Sequence, residues 1–197
     1  MKIRNRIIAA VVIVFSLFLN VAGFAADCAD VRRDVLRLHV VGASDSDYDQ
    51  NLKLKVRDTL LEKGGTIFDG TVTADEAKTI ITPRIPELKA AAEEVLLENG
   101  CDYKIDITVG EEYFATRCYE NFTMPAGVYT AVRVNIGTAE GKNWWCVMFP
   151  PLCLPAAFAD ADAFFDDDEM KVITASPEYE PRFKIVEIFE SIKNRFS

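Results

Sequence analysis

A single histidine, His39, stands in 197 residues, which excludes any site that needs two imidazoles. Positive charge is also scarce. Lys and Arg total 22 against 31 Asp and Glu, a net charge of −9, and no basic stretch is present to neutralise a row of phosphates, so nucleic acid is not an expected partner. Five cysteines are too few for a dense disulfide scaffold, and their odd number leaves at least one outside any intramolecular pairing. The chain lacks a Gly-x-Ser-x-Gly elbow, a His-Glu-x-x-His helix and a phosphate-cradling glycine loop. No cofactor, metal or small-molecule substrate is therefore expected. What the chain does have is 50% hydrophobic residues, enough to build one domain with a substantial core.

The longest apolar run lies at the start. Lys2, Arg4 and Arg6 precede twenty uncharged residues, Ile7 to Ala26, that end in Ala22-Gly23-Phe24-Ala25-Ala26. Gly23 and Ala25 suit the small positions of a secretory cleavage site after Ala25, while twenty helical residues at ~1.5 Å each also cover a bilayer core of ~30 Å. Residues 1–26 are thus a signal peptide or a membrane anchor, and the interruption at Asn20 argues for cleavage. Asp27 before Cys28 is unsuited to a lipoprotein signal. Without the three basic residues of this segment, 19 positive charges face 31 negative ones, a net of −12. Any membrane contact must then come through the N-terminal segment or a protein partner.

Residues 27–197 read as one extracytoplasmic α+β domain, a mainly antiparallel sheet with helices packed on one face. Asp34 to Val41 reads as a strand that Gly42 ends. Leu52, Val56 and Leu60 then recur every four residues in a helix that Gly64-Gly65 is expected to stop. Thr73 with Glu76 makes a capping box for a stripe of Ile81, Ile85, Leu88, Ala92 and Val95, and Pro83 and Pro86 predict a break near Thr82. Tyr103 to Val109 alternates as a strand, with Glu111 to Cys118 as its hairpin partner or continuation. Val128 to Ile136 and Asn143 to Phe149 follow as strands, the last ended by Pro150-Pro151. Ala156 to Asp168 reads as a loop with some helix. Phe183, Val186, Phe189, Ile192 and Phe196 mark a C-terminal amphipathic helix over Glu178 to Phe196.

Four constellations bear on chemistry. Asp45, Asp47 and Asp49 begin a calcium-loop pattern, but Gln50 and Val56 stand where that loop needs glycine and glutamate, so helix capping explains the acids better. His39 would serve as a base only with an exposed Nε2, a thiol within ~3 Å and an orienting acid, none of which the local sequence supplies. Trp144 and Trp145 are neighbours in a strand and point to opposite faces. One fills the core while the other is covered or becomes, with Phe149 and Pro150, a contact surface for a partner. Cys146 and Cys153 are a candidate disulfide if Pro150-Pro151 bends the chain back, and Cys101 with Cys118 is another.

The runs Leu36-Arg37-Leu38-His39-Val40-Val41, Ser44-Asp45-Ser46 and Leu52 to Asp58 resemble the opening of the stage II sporulation protein R family. Pro125-Ala126-Gly127, Val132-Arg133-Val134 and Gly141-Lys142-Asn143-Trp144-Trp145-Cys146-Val147-Met148-Phe149-Pro150-Pro151-Leu152-Cys153 resemble its most distinctive block. Gly42-Ala43 and Cys118 depart from the pattern. The resemblance implies a non-enzymatic signalling protein of endospore-forming bacteria, exported from the forespore into the space between the two septal membranes. There it would activate a membrane-embedded aspartic protease of the mother cell that processes the pro-sigma-E precursor. Trp144, Trp145, Phe149, Pro150, Asp45 and Asp47 are the expected contacts to that protease. The competing reading is an extracytoplasmic hydrolase with a site around His39 and the Ser44 to Asp49 loop.

Overall fold

The computed structural model describes residues 2–68, 70, 73–153, 161–177 and 180–196. Residues 156–160 of the expected irregular segment and Glu178 and Tyr179 of the expected last helix lie outside the described residues. The chain divides into two compact units: Arg33–Tyr113 with Val128–Phe165, and Met1–Arg32 with Phe114–Gly127 and Asp166–Ser197.

The first unit contains a four-stranded sheet in the order β2-β5-β1-β6, with β1 at Leu36–Val41, β2 at Ile105–Phe114, β5 at Gly127–Ile136 and β6 at Asn143–Phe149. β1 pairs antiparallel with β6 and parallel with β5. The α+β class stands, and the sheet is mixed, with the parallel pair β1–β5 beside the antiparallel pair β1–β6. The chain leaves β1 through three helices before it returns, and a long crossover of this kind lets two strands run in parallel.

Those helices are α2 (Asp47–Ile67), α3 (Ala74–Ile81) and α4 (Ile85–Glu98). Ser46 caps α2 by accepting a hydrogen bond from the Asp49 backbone N–H, with Asp47 and Asp49 in the favourable first turn. Gly64-Gly65 does not stop the helix, which continues to Ile67. Gly64 instead faces Met148, whose Cε would lie 3.0 Å from an added Cβ, so the glycine makes room for the sheet. The Thr73–Glu76 capping box forms as the sequence requires, and a single 3₁₀ turn, Thr82–Arg84, carries Pro83 into α4. Leu52, Val56 and Leu60 join Ile81, Leu88, Ala92 and Leu96 against Leu36, Leu38 and Val40 of β1 in one buried core. Tyr103 to Val109 and Glu111 to Phe114 belong largely to one strand, β2, rather than to a hairpin.

The second unit holds α1 (Lys2–Arg33), the short hairpin β3–β4 (Arg117–Cys118 and Thr123–Met124), α5 (Asp167–Ile173) and α6 (Pro181–Phe196). α1 passes Ala25 without a break, and within its Ile3–Arg33 stretch it is long and apolar enough to cross a membrane. Residues 3–20 are exposed, whereas Phe24, Cys28 and Val31 are buried. On α6 the expected apolar face divides: Phe183 and Val186 are buried, but Phe189, Ile192 and Phe196 are exposed together with Ile185 and Ile188. Its buried face also includes Glu190, which pairs with Arg32 at 3.2 Å.

Candidate functional site

The strand register of the first unit places His39 beside Arg133 of β5 and Trp145 of β6. All three lie on the face of β1 opposite Leu38 and Val40, because side chains alternate along a strand. His39 Nδ1 meets Glu112 Oε1 at 2.7 Å, and its Nε2 meets Asn143 Oδ1 at the same distance. Trp145 stacks on the imidazole with centroids 3.7 Å apart and planes 18° from parallel. Arg133 Nη1 donates to the same Glu112 oxygen at 2.9 Å. Burial pushes the imidazole pKa below its ordinary 6.5; the Asn143 hydrogen bond and the Glu112 charge oppose this shift, and the Arg133 charge adds to it.

The imidazole meets an acid, an amide and an indole. The orienting acid that a catalytic base needs is present as Glu112. The exposed Nε2 is not, because Asn143 engages it and the residue is 2% exposed. The cluster draws on all four strands of the sheet and forms a polar tie around the buried imidazole.

A second network joins the Ser44 to Asp49 loop to the turn before β6. Asp45 Oδ1 accepts the Lys142 backbone N–H at 2.7 Å, and Ser44 Oγ donates to Asp49 Oδ2 at 2.5 Å. Lys53, buried in α2, donates through Nζ to Gln50 Oε1 at 2.5 Å and to the Lys142 carbonyl at 2.8 Å. Its burial pushes the amine pKa below the ordinary range. A Cβ on Gly141 would stand 2.3 Å from the Ser44 carbonyl oxygen, so only glycine lets the two loops approach. Asp45 and Asp49 thus serve as internal acceptors, and no group of three His, Cys, Asp or Glu able to hold a metal occurs among the described residues.

Of the six residues read as partner contacts, Trp144, Asp45 and Asp47 are exposed and Trp145 is half-buried. Trp144 lies on the helix side of β6 with the Arg57 guanidinium over its ring at 4.3 Å, an arrangement that holds a large aromatic surface in one orientation. Phe149 and Pro150 are corrections. Phe149 is packed edge-on between Phe68 and Phe164 at 5.6 and 5.5 Å, and Pro150 is buried, so neither presents a contact surface. Cys146 and Cys153 are joined as a disulfide with Cα atoms 6.2 Å apart. Cys101 is a buried free thiol and Cys118 an exposed one, so the alternative bridge between them is absent.

Sequence reasoning missed Glu112, Arg133 and Asn143 as the partners of His39. Each sits in an alternating strand segment, but only the pairing register brings them together. It also missed the exposed apolar face of α6, which local periodicity assigns to the core.

The profile of the family described as stage II sporulation protein R matches residues 32–159. A relative named "Stage II sporulation protein R" from Bacillus subtilis (strain 168) is 35% identical over 134 residues, covering 68% of this chain and 59% of that protein. The chain thus spans less than two thirds of the length of this curated relative. No solved structure matches. Both interlocked loops, the His39 cluster and the Trp144 strand fall inside the matched segment, and the chain belongs to the stage II sporulation protein R family.

Proposed function

We propose that this chain is an exported sporulation signal, made in the forespore, that activates a membrane-embedded aspartic protease of the mother cell and so starts processing of the pro-sigma-E precursor. The observation that carries the proposal is the family match, which covers both loops and the Trp144 strand. The site geometry supports a ligand over an enzyme: His39 is closed off, while Trp144, Asp45 and Asp47 stand exposed around a rigid loop pair. An aromatic anchor with a polar rim is the usual composition of a protein-binding hot spot. Activation then requires tighter binding to the active receptor than to the inactive one; moving a population from 1:99 to 99:1 takes ~5.5 kcal/mol of differential affinity.

The test is co-expression of the exported part with the receptor protease and the sigma precursor in a non-sporulating host. Precursor cleavage should depend on the chain, and Trp144→Ala should reduce cleavage while leaving the fold intact. Absence of cleavage with a receptor shown to be competent overturns the proposal. Turnover of a substrate by the chain alone, lost in His39→Ala but not in Trp144→Ala, replaces it with the hydrolase reading.

A further inference from the structure

The apolar N-terminal run has two possible fates, and the packing of α1 distinguishes them. A cleavable signal ends in a short unwound stretch that a signal peptidase reads in extended form. Here the backbone stays helical through Gly23, Ala25 and on to Arg33. Burial changes along this one helix. The side chains from Ile3 to Leu19 face outward, and twenty uncharged residues, Ile7 to Ala26, follow the basic cluster Lys2, Arg4 and Arg6. From Phe24 onward the helix becomes part of a protein core, with Phe24 5% exposed and Cys28 and Val31 fully buried.

Specific contacts hold this last third. Phe24 packs edge-on against Phe183 of α6 at 5.0 Å, and Phe183 is itself buried. The Arg182 guanidinium lies over the Phe24 ring at 4.4 Å and donates to Asn20 Oδ1 at 3.3 Å. Eight residues beyond Phe24, Arg32 donates to the Ala126 carbonyl at 3.0 Å and to Glu190 at 3.2 Å. A cut after Ala25 would delete Phe24 and the Asn20 acceptor, exposing Phe183 and leaving Arg182 without either contact.

We infer that α1 is not removed: it is a permanent anchor whose first two thirds cross the bilayer of the cell that makes the chain and whose last third is a structural element of the folded unit outside. The occupant of the exposed apolar surface of α1 is therefore lipid. The uncharged stretch ahead of the buried Phe24, Ile7 to Gly23, reaches ~25 Å at ~1.5 Å per residue, at the short end of what a hydrocarbon core of ~30 Å requires, and the basic residues before it favour a cytoplasmic N-terminus. Asn20, Phe24 and Arg182 then lie at the outer boundary, where an aromatic ring and a long cationic side chain are stable. Asn20, which interrupts the apolar run in the sequence, acts as the acceptor for Arg182 at that boundary.

The experiment expresses the full chain in a bacterial host that exports it, washes the membranes with alkaline carbonate, and measures the intact mass of the chain in each fraction. The full-length mass should remain in the washed membrane, and Ala25→Leu, which blocks a small-residue cleavage site, should give the mass of an uncut chain too. A product beginning at Ala26, or a full-length chain released by carbonate, overturns the inference. A second readout is maleimide labelling of the detergent-solubilised chain, located by mass spectrometry. Cys118 should label at once and Cys28 only after unfolding; equal labelling of both shows that the end of α1 is not core. Neither readout involves the receptor protease, so the receptor proposal stands or falls separately.

Discussion

His39→Ala separates a structural histidine from a functional one. The substitution removes two hydrogen bonds of 2.7 Å, one of them to the carboxylate of Glu112, and the stacking of Trp145 at 3.7 Å. A neutral hydrogen bond is worth ~1 kcal/mol, one to a charged group ~1.5–3, and an aromatic stack ~0.5–1.5 beyond its buried area. Glu112 keeps Arg133 as a partner, and exposed Asn143 regains water, so the orphaned groups add little. The expected loss is about 3 kcal/mol, which at a urea slope of ~2 kcal/mol per molar moves the unfolding midpoint down by ~1.5 M. Urea titration followed by tryptophan fluorescence reads it directly, because Trp145 reports on the stack. His39→Gln, which retains a donor and an acceptor, should recover part of the loss. A His39→Ala protein with an unchanged midpoint but no signalling activity would refute the structural account and return His39 to the functional surface.

Two further outcomes follow from particular contacts. Gly127 adopts a φ of +147°, and a Cβ there would stand 2.3 Å from Arg32 Cδ. Gly127→Ala should therefore destabilise its unit by about 2–4 kcal/mol, from backbone strain and displaced Arg32 hydrogen bonds, as read by thermal unfolding. The lowered pKa of His39 sets a pH dependence: above its ordinary 6.5 the ring is neutral both folded and unfolded, and below it the unfolded chain takes the proton first. Native stability thus falls as the pH drops through that value towards the folded pKa. The gap in urea midpoint between wild type and His39→Gln should narrow from about pH 7 to about pH 5, and a constant gap would contradict the assigned shift.

Much of the fold was legible because its signals are local. The Thr73–Glu76 box, the prolines at 83 and 86 and the strand ending at Phe149 act within a turn or two of themselves. The failures share a cause in what lies opposite. Gly64 reads as a stop until Met148 is placed against it, and the α6 stripe reads as core until only Phe183 and Val186 find cover. Phe149 beside Trp144 and Trp145 reads as part of one aromatic patch. A register shift at Leu36/Arg37 pairs Phe149 with Leu36 and turns it into the core, where Phe68 and Phe164 enclose its ring, while Trp144 stays exposed at the other end of β6. Of the candidate site, the acidic loop and Trp144 were visible in the sequence, whereas the acid that holds His39 comes from a strand more than seventy positions away.

The central position of β1 bears on how such a chain is exported. β1 emerges early, yet its neighbours are residues 131–135 of β5 on one side and residues 143–149 of β6 on the other. Until that distant half has been made, the strand has nothing to pair with, and closing so long a loop carries a conformational cost that only the completed sheet offsets. A polypeptide threading through a translocation channel must remain unfolded along its length. The late arrival of both partners keeps this one threadable until roughly two thirds to three quarters of it has reached the far side.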